Sequence, residues 1–369
     1  MNGVLAPATR YRVAVLHGGP SSEHDISVIS ANGVVVALRK RGHFVVPVWV
    51  DRAGRWHFAD AQAEVAKPST TPLAFPAALA AMVALGVDVC FMGFHGTFGE
   101  DGRIQAALEL AGLRYTGSGP LASALAMDKI IARRVFAGVG LPVAPAVELM
   151  STALGTAAAR QEAADHIAAI VGVPCVVKVA AGGSSVGVEI IRAADGLVGA
   201  LDRLRHLWPT LLAEAFIVGV EMTGGVLEGP SGARALPAVE IAPRGDRFFD
   251  YEVKYDPNLV EEIVPARVSP AVEAEVRRVA LAAHHALGCS GVSRTDVIAD
   301  KDGRVWLLET NTLPGLTPAS LLPKAALAVD IAYAALLEGI IACAVSDGVA
   351  DAIAHDVLAD AQPVDDLFP

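Results

Sequence analysis

No block of lysine and arginine stands out anywhere in the 369 residues, and the formal net charge is −11. A phosphate backbone demands clustered positive charge, so no nucleic-acid partner is expected. Cysteine is scarce as well. Cys90, Cys175, Cys289 and Cys343 lie far apart in apolar surroundings, and no pair has the spacing of metal ligands. Reduced, buried thiols are the expectation. A membrane span is missing too. The longest apolar stretch, 331–345, contains Glu338 and falls short of the roughly 20 residues a bilayer requires. The opening MNGVLAPATRYR has no apolar signal core, which leads to a cytoplasmic protein with no membrane partner. Neither Gly-x-Gly-x-x-Gly nor Gly-Lys-Ser/Thr is present, which removes a dinucleotide-binding dehydrogenase and a Walker-type phosphate loop.

What is there points to a folded, multi-domain chain. Hydrophobic residues make up 53% and charged residues 19%, so substantial cores are available and disorder is not expected. The length favours two or three domains sharing a cleft. The apolar run Val13–Leu16 ends in His17-Gly18-Gly19-Pro20 and reads as a buried strand entering a tight turn. A helix from about Asp25 to Lys40, with Ser22 as its cap, and a strand at Phe44–Val50 complete a strand-helix-strand unit. A further strand over 87–93 leads through a loop into a helix over 103–111 that Gly112 ends. Alternation of this kind gives a parallel, doubly wound sheet. A new helix near Met127–Asp128 opens the next domain. Beyond it the chain turns antiparallel and β-rich, with strands at 174–179, 188–191, 211–216 and 222–227. The helix Pro270–Leu287 carries Val272, Val276, Val279, Ala283 and Leu287 on one stripe. Two strands, Gly291–Ala299 and Val305–Glu309, follow it. From Ser346 the tail has six Asp and no Lys or Arg.

Three constellations carry chemistry. The strands GVSRTDVIA and VWLLETN are apolar on both faces, so both are expected to be central, with Asp296, Glu309 and Asn311 near their ends. Period-two geometry puts Arg294 with Asp296, and Glu309 with Asn311, on common faces. Two carboxylates and an amide oxygen form a hard-oxygen set suited to Mg²⁺ shared with phosphates. A structural Arg294–Asp296 ion pair fits the spacing equally well. The second constellation is Gly182–Gly187, preceded by Lys178, whose freed backbone N–H groups suit phosphate or an ordinary hairpin. The third is Glu23 after the Gly18-Gly19 turn, with His95, Glu100 and Asp101 at the same sheet edge, where a carboxylate meets an ammonium group. The polar aromatic segment 249–255 reads as a lid or as a surface loop.

In order along the chain, HGGPSSEHDIS (17–27), FHGTFGEDG (94–102), YTGSGPLASALAMDK (115–129), GGSSVGV (182–188), DYEVKY (250–255), SRTDV (293–297) and LLETNTLPGLTPASLLP (307–323) resemble the D-alanine–D-alanine ligases of the ATP-grasp superfamily. The resemblance runs from Val13 to about Val345. It implies a mixed α/β fold with a three-domain ATP-grasp architecture: an N-terminal doubly wound parallel-sheet domain (1–128), a central subdomain (129–221), a C-terminal catalytic domain (222–345) and an acidic tail (346–369). It also implies a homodimer. The reaction implied is ATP-dependent joining of two D-alanines through a D-alanyl phosphate, for peptidoglycan precursors.

Carried over residue by residue, Lys129, Lys178, Ser184 and Ser185 would contact phosphates, while Glu214, Ile217 and Glu221 would hold adenine and ribose. Asp296, Glu309 and Asn311 would bind two Mg²⁺, or Mn²⁺. Glu23 would receive the first D-alanine's ammonium, in a triad with Ser184 and Tyr255. His95, Lys254, Ser320 and Leu321 would serve substrate, with Ser320 and Leu321 on the acceptor's carboxylate. Arg294 and the Gly315 N–H would stabilise the oxyanion. Val179, Gly182 and Ala215 depart from the family, which usually has Pro, Glu and often Lys there. Retained Tyr255 favours an amino-acid acceptor over D-lactate. A paralogue using D-serine, D-lactate or a specialised metabolite is the alternative, and a non-catalytic nucleotide-binding module a third.

Overall fold

The structure is a computed structural model that describes residues 9–59, 71–182, 187–229, 231–243 and 259–346. Ser184, Ser185, Lys254, Tyr255 and the acidic tail beyond Ser346 lie outside the described residues. Its first sheet has the order β3-β2-β1-β4, from strands β1 (Arg12–Gly18), β2 (Phe44–Val50), β3 (Trp56–Phe58) and β4 (Val89–Met92). Strand β1 pairs in parallel with β2 on one side and β4 on the other. That central place is why Val13, Ala14, Val15 and Leu16 are all fully buried. Both faces are covered, as a parallel sheet requires.

Alternation sorts the side chains of β1. Val13 and Val15 meet Ala31, Val34 and Leu38 of helix α1 (His24–Lys40), with Leu336 and Ile340 of the last described helix, Tyr333–Ser346. Ala14 and Leu16 meet Ala78 and Met82 of α2 (Phe75–Ala84), with Ile104 and Leu108 of α3 (Arg103–Leu110). Each fully buried Val or Leu contributes about 1.5–3 kcal/mol, so this sandwich holds β1 firmly. The antiparallel edge strand β3 was not legible in the sequence. It follows a turn set by Asp51, whose carboxylate accepts from the N–H groups of Ala53 and Arg55, both at 2.9 Å.

The helix expected to open near Met127–Asp128 is α5 (Lys129–Gly138), and a short helix that the sequence reading passed over, α4 (Pro120–Met127), precedes it. Asp128 leaves helical geometry between them, and its side chain caps α5 by accepting from the Ile130 and Ile131 N–H groups. A second sheet, order β5-β8-β6-β7, is antiparallel: β5 (Ala146–Met150), β6 (Cys175–Val179), β7 (Val188–Ile191) and β8 (Thr210–Ala215). Its core takes in α6 (Ala157–Ile170) and α7 (Leu197–Leu204), the latter through the helical stripe Leu197, Ala200, Leu201 and Leu204.

The third sheet has the order β12-β11-β9-β13-β14, with β10 also paired to β9. Its strands are β9 (Gly219–Gly229), β10 (Gly232–Ala235), β11 (Val239–Pro243), β12 (Val260–Ile263), β13 (Val292–Asp300) and β14 (Val305–Asn311). Helix α8 (Pro270–Leu287) lies across it and begins and ends where the sequence reading put it. Ser269 caps its start and Gly288, at φ 69°, ends it in the left-handed region. Val276, Val279, Ala283 and Leu287 pack on Met222, Val297, Ala299 and Val305.

Strand β13 is central as expected, but β14 is not. Among the described residues it pairs with β13 and, at Leu307, with Val143 in an isolated bridge, and with no other strand. Helices α4, α5 and α8 pack against β14, so Val305 and Leu307 are buried without a second full ladder. Helix α9 (Leu321–Leu327) and helix α10 (Tyr333–Ser346) close the described chain. Cys90, Cys175 and Cys289 are buried free thiols, whereas Cys343, also expected to be buried, is half-exposed near the end of α10. Among the described residues no helix is long and apolar enough to cross a membrane.

Candidate active site

The turn after β1 is the first piece of the site. Gly18 has φ 86°, and a Cβ there would run into the Val50 carbonyl and the Trp49 ring, so only glycine fits. Ser27 accepts from the Gly18 N–H at 2.8 Å and donates to the Gly93 carbonyl at 2.6 Å. One hydroxyl on α1 thereby ties together the carboxyl ends of β1 and β4, where ligands bind in sheets of this kind. Glu23, not Ser22, occupies the N-cap position of α1, because the helix begins at His24. Ser21 Oγ accepts from the Glu23 N–H at 3.0 Å and so fixes the entry of the helix.

His95 comes from the loop after β4 and is 8% exposed. Its Nε2 is 3.1 Å from Ser30 Oγ on α1, and its Nδ1 is 3.5 Å from Glu100 Oε1. Asp101, singled out with them, instead organises its own loop by accepting from the Phe98 and Arg103 N–H groups.

The opposite wall is built by β13 and β14. The register sets Arg294 opposite Asn311 and Asp296 opposite Glu309, so all four share one face. On the other face Thr295 and Thr310 join hydroxyls at 2.9 Å, a buried bond that locks this register. Asp296 lies in mid-strand rather than near an end, and Asn311 closes β14. Arg294 grips Asp296 with two parallel bonds, Nε to Oδ1 at 2.9 Å and Nη2 to Oδ2 at 3.0 Å. Burial works against the guanidinium charge, but Asp296, Glu309 and Glu100 outweigh it and raise the Arg294 pKa. Arg294 is therefore a permanent cation in a partly dry site. The structural ion pair that fitted the spacing forms, and the ladder sets Asp296 opposite Glu309.

Lys129, first residue of α5, reaches Glu309 Oε2 at 3.1 Å and the Gly182 carbonyl at 2.9 Å. Lys178 pairs with Glu214 at 2.5 Å across β6 and β8, both side chains about one-tenth exposed. Asp296 and Glu309 with the Asn311 amide offer oxygen ligands only, which fits Mg²⁺ rather than a softer metal. Among the described residues no three His, Cys, Asp or Glu side chains form a cage of their own. A cation here would complete its shell with phosphate or water oxygens, as Mg²⁺ does.

A cavity of about 470 Å³ joins the two walls. Glu23, His95, Lys129, Arg294, Glu309 and Asn311 all line it, together with Gly182, Gly315, Ser320 and Leu321. Among the described residues singled out from the sequence, Asp101, Lys178, Glu214, Ile217, Glu221 and Asp296 do not line it; Asp296 sits behind Arg294 at 7% exposure. Sequence reasoning passed over Ser30, Glu262 and Lys324, which also line it. Ser30 had a signal, two helical turns after Glu23 on the same face of α1. Lys324 had one as well, at i+4 from Ser320.

Comparisons with known proteins bear on this geometry. Residues 12–118 match the family described as D-ala D-ala ligase N-terminus, and residues 135–342 match D-ala D-ala ligase C-terminus. A D-alanine--D-alanine ligase of Anaeromyxobacter sp. (strain Fw109-5) is 40% identical over 330 residues, covering 89% of this chain and 96% of the relative. That of Geobacter sulfurreducens is 41% identical over 320 residues, 86% of this chain and 88% of the relative. Among solved structures, the D-alanine--D-alanine ligase from Bacillus anthracis superposes with TM-score 0.72 at 32% identity, covering 91% of this chain and 98% of that one. The VanG D-Ala:D-Ser ligase from Enterococcus faecalis gives TM-score 0.78 at 26% identity, with 91% and 99% covered.

Proposed function

The chain belongs to the D-alanine–D-alanine ligase family of the ATP-grasp superfamily, and from that premise we propose that it joins two D-alanines at the expense of ATP for peptidoglycan precursors. The observation that carries this reading is the convergence of two walls on one cavity. One wall offers a carboxylate, Glu23, for an ammonium group, and the other offers acidic and cationic side chains for a metal-bound triphosphate.

A carboxylate is a poor acyl donor because its oxygen leaves badly. In the proposed reaction a carboxylate oxygen of the first D-alanine attacks the γ-phosphorus of ATP, ADP departs, and a D-alanyl phosphate results. The amine of the second D-alanine attacks the carbonyl, and the phosphate leaves with the former carboxylate oxygen. Bound Mg²⁺ supplies charge neutralisation on the transferring phosphoryl group. Asp296, Glu309 and Asn311 are the residues proposed to hold it, as two ions for which Mn²⁺ substitutes. Lys129, Lys178, Ser184 and Ser185 are proposed to contact phosphates, and Glu214, Ile217 and Glu221 the adenosine. Arg294 and the Gly315 N–H are placed on the tetrahedral oxyanion, where fixed donors act without reorganising. Glu23, with Ser184 and Tyr255, holds the first substrate; Ser320, Leu321 and Lys254 hold the acceptor's carboxylate. His95 is oriented at the junction by Ser30 and Glu100.

The same reading divides the chain at 128, 221 and 345 and makes it a homodimer, which sedimentation would test. The likeness to a D-Ala:D-Ser ligase keeps D-serine as a second acceptor to compare. The deciding experiment supplies ATP, Mg²⁺ and mixed D-amino acids and identifies products by mass spectrometry. D-alanyl-D-alanine as the main product supports the proposal. A mixed D-Ala-D-Ser product in its place reassigns the acceptor, and no dipeptide removes the activity.

A further inference from the structure

Among the described cationic side chains that line the cavity, Lys324 differs from the others in what holds it. Lys129 is engaged by Glu309 and a backbone carbonyl, and Arg294 is gripped by Asp296. Lys324 instead reaches across from α9 to Glu262 on the edge strand β12, at 2.5 Å. Both partners line the cavity, with side-chain exposures of 36% for Lys324 and 18% for Glu262. Lys324 also stands one helical turn from Ser320, since its N–H donates to the Ser320 carbonyl at 3.0 Å. Lys324 therefore lines the cavity beside Ser320 and Leu321.

We propose that Lys324 is a specificity-determining residue that takes the carboxylate of the amine acceptor, and that Glu262 parks its ammonium until that carboxylate arrives. This inference rests on the ligase reading above. An ammonium in a half-dry cavity needs an anionic partner in the free chain, and Glu262 provides it without filling the cavity. When a zwitterionic amino acid enters, its carboxylate replaces that of Glu262 on Lys324. One charge-assisted hydrogen bond is exchanged for another, so the exchange carries little desolvation cost. An acceptor without a carboxylate cannot make the exchange and faces an intact ion pair. Specificity of this kind comes from the group left unsatisfied when the wrong acceptor binds.

The experiment uses the full chain with ATP, Mg²⁺ and D-alanine, measuring separate KM values for the donor and acceptor D-alanine from the dependence of dipeptide formation on concentration. Lys324→Met is expected to raise the acceptor KM about tenfold or more, while the donor KM stays within about twofold. Lys324→Arg is expected to restore most of the loss, because it keeps the charge. Glu262→Gln is expected to lower the acceptor KM about threefold by removing the competing carboxylate, and it decides the matter if Lys324→Met does not fold. An acceptor KM unchanged in Lys324→Met, or unchanged or raised in Glu262→Gln, overturns the inference. Dipeptide absent from the unaltered chain would instead sink the ligase reading, so the two failures are told apart.

Discussion

Replacing Arg294 by methionine separates what the buried ion pair does for folding from what it does for chemistry. Arg294 and Asp296 form two bonds of 2.9 and 3.0 Å, and their side chains are 19% and 11% exposed. Removing the guanidinium leaves a carboxylate in the interior of β13. Breaking a buried pair in this way costs about 3–5 kcal/mol. The Asn311 amide, 3.5 Å from Asp296 Oδ2, absorbs part of the loss, so the expected value is the lower end, about 3 kcal/mol. At about 2–4 °C per kcal/mol for a unit of this size, Tm falls by about 6–12 °C. Calorimetry without nucleotide or Mg²⁺ reads this directly, since ligands would add their own stabilisation. Arg294→Met/Asp296→Asn leaves no buried charge and is expected to regain most of the Tm. Its kcat stays at least about 10²–10³-fold low, because an oxyanion donor is missing and a proposed Mg²⁺ ligand is neutralised as well. A single variant that melts with the parent chain, or a double variant that melts no higher than the single one, would refute this reasoning.

Other perturbations follow from the same geometry. His284 is fully buried under β13 with Nδ1 at 2.8 Å from Ser293 Oγ, and burial pushes its pKa down to about 4 although Glu228 opposes the shift. Its contribution is present above the unfolded pKa of about 6.5 and is lost as pH falls from there towards 4, on the order of 3 kcal/mol in all. Urea midpoints at pH 7 and 4.5 should differ less in His284→Gln than in the parent chain, and an equal difference would contradict the assignment. Gly18→Ala forces a side chain into the left-handed region against the Val50 carbonyl. A loss of about 1–3 kcal/mol is expected by calorimetry, with activity reduced as Glu23 is displaced. Lys178→Met strands Glu214, and KM for ATP is expected to rise about tenfold, with part of the stability recovered in Lys178→Met/Glu214→Gln. An unchanged KM for ATP would remove Lys178 from the nucleotide site.

Much of this molecule was legible before any coordinates, for identifiable reasons. Strand β1 was readable because an uninterrupted apolar run ending in Gly-Gly has few alternatives to a central parallel strand. Helix α8 was readable to the residue because Ser269-Pro270 and Gly288 mark both ends. The cross-strand pairing of Asp296 with Glu309 extended a period-two argument by one step, the register, which the Thr295–Thr310 bond sets.

What escaped was tertiary. Strand β14 is apolar through helix packing rather than a second ladder, and sequence alone does not distinguish these two sources of burial. Helix α4, which ends at the Asp128 cap where the expected helix begins, was passed over because its small apolar residues carry no distinctive period. The Glu262–Lys324 contact joins residues 62 positions apart and left no local trace.

The claim on which everything else depends is that a carboxylate is activated by phosphoryl transfer before the amine attacks. It can be read in one isotope measurement: D-alanine labelled with ¹⁸O in both carboxylate oxygens is incubated with the chain, ATP and Mg²⁺, and the released phosphate is weighed by mass spectrometry. Phosphate carrying one ¹⁸O for each dipeptide formed is the predicted result, because the leaving group takes one carboxylate oxygen with it. Phosphate without label, alongside dipeptide formation, would contradict the account.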